Sequence, residues 1–321
     1  MDEFELIRCI TPSYYRQSSV IKGIGDDAFV FRASGDVVFT TDTMVEGVHF
    51  SRETMGPEAI GYRALAANIS DLAAMGSTPA FYSVSLVVSP EWTDEEILSL
   101  YDGMDKLAAN HSMDMIGGDT VSGRQLIVTI TAHGYIHKDK GRYRSAARPG
   151  DLVFVTGTLG DSRGGLETLM KEEMSSSFLI DRHRYPEPRV RFASGLTSLQ
   201  RVCLNDVSDG IASEANEIAE ASGVSLSIEE GNIPVSRALK ESYPEHAQEW
   251  ALSGGEDFEL IGTIAPEEEQ ALRTAADETG TPVTFIGSVV PVKDEPEVRL
   301  HSLRESKRLL RTGYTHLQER R

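Results

Sequence analysis

Hydrophobic and polar positions alternate along three segments in the first half of the chain. Asp36–Asp42 (DVVFTTD), Phe81–Val88 (FYSVSLVV) and Gln125–Ile136 (QLIVTITAHGYI) are rich in β-branched or aromatic residues and repeat with a period of two. This pattern predicts β-strands with one buried face. The glycine pair of Met115–Thr120 (MIGGDT) predicts a turn between two of these elements.

A different periodicity predicts helices between the strands. Pro57–Gly76 has apolar residues at i, i+4 and i+7 from Leu65, a proline suited to a first helical turn, and a glycine at its end. Thr93 and Glu96 form a capping-box pattern, which predicts the start of a second helix that runs to about Ala109.

The second half alternates in the same way. Residues 151–170 predict a strand, a glycine turn and a helix, and the segment containing Gly254 and Gly255 predicts a turn that leads into another strand. Further helices are predicted over 188–199, 210–222 and from 266, a strand over 283–290, and a solvated helix and tail from 304. The polar, basic stretch 137–151 marks a domain boundary. The fold class is therefore α/β with mixed sheets, in two domains, 1–137 and 138–321.

Composition narrows the possible partners. The 321 residues exceed what one hydrophobic core usually serves. With 31 basic and 50 acidic residues the net charge is -19, which disfavours nucleic acid and anionic membranes as partners. Cys9 and Cys203 are too few for a disulfide framework, and the acidic N-terminus lacks a signal-peptide pattern. These features predict a soluble cytoplasmic protein.

Acidic residues recur beside glycine, serine or threonine. The six stretches are GIGDDA (23–28), TTDT (40–43), NISDLAAMG (68–76), IGGDT (116–120), NDVSDGI (205–211) and SGGEDFEL (253–260). Taken singly, most of these acids are better explained as turn residues or helix caps than as functional groups. Within the first stretch, the residues alone do not decide between Asp26 and Asp27.

Asp42 and Asp71 are harder to explain in that way. Asp42 directly follows an apolar strand, and Asp71 borders the apolar face of its helix. Carboxylates near a core are costly unless they are paired or bind a metal, and Arg63 in the same helix leaves an ion pair open. Carboxylate and threonine oxygens suit Mg²⁺, which also binds substrate phosphates.

Common nucleotide-binding motifs are absent from the sequence. No GxxxxGK[ST] occurs, and GIGDDA is followed by an apolar stretch that predicts a strand, where a dinucleotide fingerprint requires a helix. The sequence therefore predicts neither a P-loop nor a Rossmann site.

The ordered set of motifs resembles the thiamine-monophosphate kinase family. GIGDDAFVF, TTDTMVEGVHF, NISDLAAMGSTPA, IGGDT, RPGD, VTGTLGDS, VSDGI and LSGGEDFEL span nearly the whole chain in this order. The family lies in a superfamily related to aminoimidazole ribonucleotide synthetase and selenophosphate synthetase. The resemblance implies a two-domain subunit whose N-terminal domain binds ATP and Mg²⁺ and forms a barrel-like homodimer, while the C-terminal domain covers the active-site cleft. The implied reaction transfers the γ-phosphoryl group of ATP directly to thiamine monophosphate.

The resemblance also implies roles for individual residues. The residues that match ligands of several Mg²⁺ ions are Asp27, Thr40, Thr41, Asp42, Asp71, Asp119, Asp206 and Asp209, with the two threonines contributing partly through backbone or hydroxyl oxygens. Those that match contacts to ATP are Tyr101, Gly118, Asp119, Arg144 and Ser208. His49, Glu256 and Tyr314 match contacts to thiamine phosphate, and no general base is expected. One departure is Asn205, which replaces an apolar residue.

Two other functions fit some of these features. Another ATP-dependent enzyme of the superfamily, a selenophosphate synthetase or a cyclo-ligase, would keep the fold, although Cys9 lacks the glycine-rich, lysine-containing setting of the former. A non-catalytic protein that binds nucleotide or divalent metal would use the same acids for structure alone.

Overall fold

A computed structural model describes residues 3–25, 28–171 and 176–312. Within these residues the helices are α1 (Glu3–Ile10), α2 (Pro57–Ala74), α3 (Asp94–Asn110), α4 (Asp161–Met170), α5 (Ser177–Arg184), α6 (Val190–Gly195), α7 (Ile211–Ser222), α8 (Arg237–Ser242), α9 (Ala247–Ser253) and α10 (Glu269–Thr279). The strands are β1 (Val20–Lys22), β2 (Val30–Phe31), β3 (Asp36–Val45), β4 (Thr78–Val88), β5 (Asp114–Ser122), β6 (Ile127–Ile136), β7 (Leu152–Thr156), β8 (Val202–Val207), β9 (Ser225–Glu229), β10 (Glu259–Ile264), β11 (Val283–Val290), β12 (Val298–His301) and β13 (Ser306–Arg308).

The chain divides into two compact units. The first extends to Ala73 and resumes over Ser77–Gly141, and the second comprises Ala74–Gly76 and the chain from Arg142 onward. The predicted boundary at 137/138 lies four residues before this division. None of the helices in the described parts of the chain is long and apolar enough to cross a membrane.

The first unit contains a four-stranded sheet in the order β3-β6-β4-β5, in which β4 and β5 are parallel and the other pairs antiparallel. One face is buried, since Val128, Ile130 and Ala132 of β6 have no exposed surface and alternate with half-buried residues. The opposite face of β3 is exposed. The strands predicted around Asp36–Asp42, Phe81–Val88 and Gln125–Ile136 are confirmed.

Helices α2 and α3 also agree with their sequence patterns. The predicted apolar residues of α2 are fully buried, and the capping box at the start of α3 forms between Thr93 and Glu96. The two helices approach closely at Gly61 and Gly103, where an added Cβ would lie within 2 Å of a carbonyl oxygen of the facing helix.

The prediction of a turn at Met115–Thr120 is wrong, because this segment forms most of β5. The strand pairs in parallel with β4, and a Cβ on Gly118 would lie 1.9 Å from the Val84 carbonyl oxygen. The glycine therefore serves close backbone approach between strands, a use that local turn statistics do not distinguish.

The second unit contains a seven-stranded sheet in the order β13-β12-β9-β11-β7-β10-β8. All neighbours are antiparallel except β9 and β12. The strand–turn–helix of β7 and α4 and the helix α7 agree with the sequence patterns. The helix predicted from 304 is wrong for the described residues, where Ser306–Arg308 adds an edge strand.

A buried ion-pair network lies beside β10. Glu259 has no exposed side-chain surface and is held by Arg182 at 2.6 Å and by two nitrogens of Arg189 at 2.7 Å each. The Thr156 hydroxyl donates a further hydrogen bond of 2.7 Å to the same carboxylate. Burial raises the pKa of Glu259, but the arginine hydrogen bonds and charges outweigh it and hold the pKa below its usual value. The network joins β7, β10 and α5 inside the second unit.

Candidate functional site

Thr40, Asp42 and Asp71, three of the residues that the resemblance implies as Mg²⁺ ligands, lie together in the first unit. Thr40 and Asp42 alternate onto the more buried face of β3, and the Thr40 hydroxyl donates a hydrogen bond to the Asp71 carboxylate. Residues 31 positions apart in the chain are thereby brought into contact. The result is a small group of hard oxygen donors on β3 and α2.

The electrostatics of this group are unfavourable in isolation. Burial, and as a smaller contribution the nearby charge of Asp71, together raise the pKa of Asp42 to about 6. A cation would relieve both effects, because it compensates the desolvated charge and the repulsion between the two carboxylates.

Thr41 points to the opposite face of β3. Its hydroxyl lies 2.8 Å from that of Thr131 on the exposed side of the sheet. Adjacent residues of a strand face opposite sides, so Thr41 could join Thr40 and Asp42 only through a backbone oxygen.

A cavity of about 570 Å³ in the first unit is lined by three of the predicted nucleotide contacts, Tyr101, Gly118 and Asp119. Burial raises the pKa of Tyr101 to about 12, against a smaller opposing effect of its hydrogen bond with Thr120. The glycine turn at Gly23–Gly25 forms another part of the wall. The cavity offers apolar, glycine backbone and carboxylate surfaces together, a combination typical of a small-molecule site.

His49 lies in the loop that directly follows β3. Its Nδ1 atom accepts a hydrogen bond of 3.0 Å from the Val45 backbone N–H, so the proton of the neutral ring is on Nε2. Glu46 fixes the same loop by accepting hydrogen bonds from Trp92 Nε1 at 3.1 Å and the Leu126 N–H at 2.9 Å. The loop therefore holds the His49 ring in a defined orientation.

A second group of predicted residues lies in the second unit, at the end of β8. Asp206 is buried and is the second-last residue of the strand. Ser208 and Asp209 follow before α7 begins at Ile211. The Glu256 N–H donates a hydrogen bond of 2.5 Å to the Ser208 carbonyl oxygen. The tertiary structure thus places a predicted thiamine-phosphate contact beside predicted metal and nucleotide contacts.

Glu214 belongs to this second group, although the sequence did not single it out. Its carboxylate accepts a hydrogen bond of 2.9 Å from the Asp209 N–H and is almost fully buried. Burial raises its pKa to about 9, and the charges of Asp206 and Asp209 act in the same direction. Its position in the first turn of α7, five residues after Asp209, is the sequence signal that could have identified it.

Arg144 is held by Asn205, the departure from the family pattern noted in the sequence. Its Nε donates a hydrogen bond of 2.7 Å to Asn205 Oδ1, while Asn205 Nδ2 donates one of 3.1 Å to Glu217. Arg144 also pairs with Glu217 at 3.1 Å. Asn205 is buried, and both polar atoms of its side chain are hydrogen-bonded. Its polar character is therefore explained by its contact with a half-exposed arginine.

Asp26, Asp27 and Tyr314 fall outside the described residues. Across the parts of the chain that are described, no group of three or more His, Cys, Asp and Glu side chains is placed to hold a metal ion. Thr40, Asp42 and Asp71 do lie close together, and the charges of the two carboxylates repel each other. Their carboxylate and hydroxyl oxygens are of the type that Mg²⁺ prefers.

Comparison with known families matches both halves of the chain. Residues 25–136 match the N-terminal domain of AIR synthase related proteins, and residues 148–298 match the C-terminal domain. The two matches together cover most of the chain and agree with the mixed α/β, two-domain architecture.

Comparison with individual proteins and solved structures identifies the family more closely. The thiamine-monophosphate kinase of Bacillus subtilis (strain 168) is 47% identical over 99% of this chain and 100% of that protein. The crystal structure of thiamine-monophosphate kinase from Stenotrophomonas maltophilia K279a has a TM-score of 0.82 and 33% identity, covering 94% of this chain and 96% of its own. A structure described as AaThiL complexed with AMPPCP and TMP has a TM-score of 0.77 and 31% identity, covering 92% of both chains. The chain belongs to the thiamine-monophosphate kinase family.

Proposed function

We propose that the protein transfers the γ-phosphoryl group of ATP to thiamine monophosphate, giving thiamine diphosphate and ADP. The observation that carries this proposal is the 47% identity along 99% of the chain to a thiamine-monophosphate kinase. The similar structure described as complexed with AMPPCP and TMP has ligands of the same two classes. The nearness of Thr40, Asp42 and Asp71 supplies the oxygen donors that such a reaction needs.

The chemistry of the phosphoryl acceptor, thiamine monophosphate, determines which catalytic groups the protein needs. A terminal phosphate oxygen of thiamine monophosphate attacks the γ-phosphorus, the bond to the β,γ-bridging oxygen breaks, and ADP leaves with the electron pair. Because the second pKa of a phosphate monoester is about 6, the attacking group is already ionised at neutral pH and needs no general base. The main obstacle is repulsion between the two anions, about 4 kcal/mol per pair of unit charges at about 4 Å and an effective dielectric near 20.

The chain's acids would reduce this obstacle by holding cations. Mg²⁺, when bound, would neutralise part of the phosphate charge. The residues proposed to hold it are Asp27, Thr40, Thr41, Asp42, Asp71, Asp119, Asp206 and Asp209. Tyr101, Gly118, Asp119, Arg144 and Ser208 would hold the nucleotide. The residues proposed to orient thiamine monophosphate are His49, Glu256 and Tyr314, with the Glu256 carboxylate favouring its cationic thiazolium ring.

The direct test is an assay with purified protein, ATP, MgCl₂ and thiamine monophosphate. We expect ADP and thiamine diphosphate to form in equal amounts, and neither to form when thiamine monophosphate or Mg²⁺ is omitted. Turnover of free thiamine with no turnover of thiamine monophosphate would overturn the substrate assignment. If ATP, Mg²⁺ and thiamine monophosphate raise the melting temperature of the protein but no product forms, the non-catalytic alternative is favoured.

We place this reaction in a cytoplasmic homodimer. Both cysteines are free, as is usual in a reducing compartment. The exposed face of β3 carries Phe39 at 70% and Val37 at 43% relative exposure, next to a row of threonines. An exposed sheet face with large apolar residues is suited to pairing with a second copy.

Replacing Phe39 with aspartate is expected to weaken the dimer, because it puts a charge at the centre of this face. Sedimentation velocity over a range of protein concentrations would show a shift from dimer to monomer. Leu303→Asp is the matched control, since Leu303 is fully exposed in the second unit and its replacement should leave the dimer intact. A Phe39→Asp protein that sediments like the unmodified dimer would contradict the proposed interface.

Replacing Asn205 with alanine is expected to raise the KM for ATP by about tenfold or more, the value of one hydrogen bond to a charged group, with little change in kcat. The physical reason is the loss of the acceptor that orients Arg144. Steady-state kinetics at saturating thiamine monophosphate measure this effect. If Asn205 acts through Arg144, the change should add nothing in an Arg144→Ala background, whereas full additivity would contradict that role.

A further inference from the structure

The segment Gly255–Phe258 has an unusual backbone. Gly255, Glu256 and Phe258 have φ values of 67°, 57° and 51°. Glycine adopts this left-handed region freely, but Glu256 and Phe258 carry side chains that disfavour it. Such a conformation persists only where the surroundings enforce it.

Two backbone hydrogen bonds hold this segment against the end of β8. The Glu256 N–H donates to the Ser208 carbonyl oxygen at 2.5 Å, and the Phe258 N–H donates to that of Val207 at 3.0 Å. Gly255 is required there, since an added Cβ would lie 2.7 Å from the Ser208 carbonyl oxygen. These contacts fix one side of the segment.

Asp257 fixes the other side. Its carboxylate is 2% exposed and accepts hydrogen bonds from the Gly160 N–H at 2.7 Å and the Ser162 N–H at 3.1 Å. These donors are at the start of α4, whose own N-cap residue is a glycine without a capping side chain. Asp257, almost 100 residues further along the chain, therefore caps the N-terminus of α4 in place of a local side chain.

The hydrogen bonds of Asp257 also restrain the two residues beside it. It lies between the two left-handed residues that carry side chains, so its hydrogen bonds oppose relaxation of both neighbours towards negative φ. Such relaxation would change the direction in which the Glu256 side chain leaves the backbone. Asp257 itself does not face solvent, and its neighbours include Arg182 and Asp161.

We propose that Asp257 is a positioning residue for Glu256, and that by holding this strained segment on α4 it sets the affinity for the thiazolium-bearing phosphate substrate. The inference rests on the proposed function, in which Glu256 contacts thiamine monophosphate. It assigns a role to a buried carboxylate whose hydrogen bonds are to backbone N–H groups at the start of α4.

The test compares Asp257→Asn with the unmodified protein. Asparagine keeps the size of the side chain but loses one of the two acceptors. We expect the KM for thiamine monophosphate to rise by about tenfold or more, as for loss of one charge-assisted hydrogen bond, while the KM for ATP changes less than about twofold. Hydrogen exchange of the peptide 254–260 should become faster. In a Glu256→Gln background the same substitution should add little to the KM for thiamine monophosphate.

Thr158→Val is the matched control. It removes the hydrogen bond from Thr158 to Asp161 at the start of the same helix and leaves residues 255–258 unchanged. If Thr158→Val reproduces the effect on KM, or if Asp257→Asn lowers only stability and kcat, Asp257 is a helix cap alone and the proposal is overturned. Should Asp257→Asn not fold, Asp257→Ser provides the second variant. The unmodified enzyme's turnover of thiamine monophosphate tests the proposed function separately.

Discussion

Replacing Asp42 with asparagine is expected to lower kcat by about 10²- to 10³-fold, a loss comparable to removal of a group that stabilises transition-state charge. Asp42 shares a small, partly buried site with Thr40 and Asp71, and the amide would keep its shape while losing its charge. Steady-state kinetics at saturating ATP, Mg²⁺ and thiamine monophosphate measure the loss.

The same substitution should stabilise the metal-free protein. Burial and the charge of Asp71 both disfavour the ionised Asp42 carboxylate, so the amide should raise the free energy of unfolding at neutral pH by on the order of 1 kcal/mol. Thermal denaturation without Mg²⁺ measures this change. Asp36→Asn is the control, because Asp36 is an exposed residue of the same strand, and it should alter neither property. An Asp42→Asn protein that is destabilised yet fully active would contradict the proposed role.

Replacing Glu259 with glutamine is expected to lower the free energy of unfolding by about 3–5 kcal/mol, the usual result of removing one partner from a buried ion pair. Arg182 and Arg189 would keep their charges in a site where Glu259 has no exposed surface. Urea denaturation of the two proteins measures the difference. Glu187→Gln is the matched control, because Glu187 pairs with the same Arg189 but is 74% exposed, and its loss should cost at most about 0.5 kcal/mol.

The network also predicts a dependence on pH. Since the pKa of Glu259 is lowered in the folded protein, its contribution is complete above the unfolded glutamate pKa of about 4.3 and is lost as pH falls through the lower folded-state value. The stability difference between the unmodified protein and Glu259→Gln should therefore shrink below about pH 4. A difference that stays constant down to about pH 2 would contradict this linkage.

Much of the fold could be predicted because local periodicity reflects burial. The apolar face of α2, the capping box of α3 and the alternation in β3, β4 and β6 follow directly from their residues. The segment Met115–Thr120 could not be predicted in this way. Gly118 allows a close backbone contact with Val84 of the neighbouring strand, and local sequence statistics do not reveal contacts with residues that are distant in the chain.

The candidate site shows the same division. Motif order identified the family, and the acids of both groups remain predicted ligands. Glu214 and Asp257 were not predicted from the sequence. Glu214 accepts a hydrogen bond from the nearby Asp209 N–H, whereas Asp257 accepts hydrogen bonds from backbone N–H groups almost 100 residues away, which the local pattern does not show. Asn205 was noticed only as a departure, and its bond to Arg144 supplies the reason for it.

The sequence by itself determined the alternation of strands and helices, the acidic character of the chain and the set of carboxylates and hydroxyls for which we propose Mg²⁺ and phosphate binding. These properties depend on residue type and spacing. Only the tertiary structure decided that Thr40 meets Asp71 while Thr41 faces the opposite side of β3. It alone decided that Asp257 bonds to the start of α4. Such contacts join residues 31 to 97 positions apart, and they form because packing of distant segments determines which polar groups meet away from water.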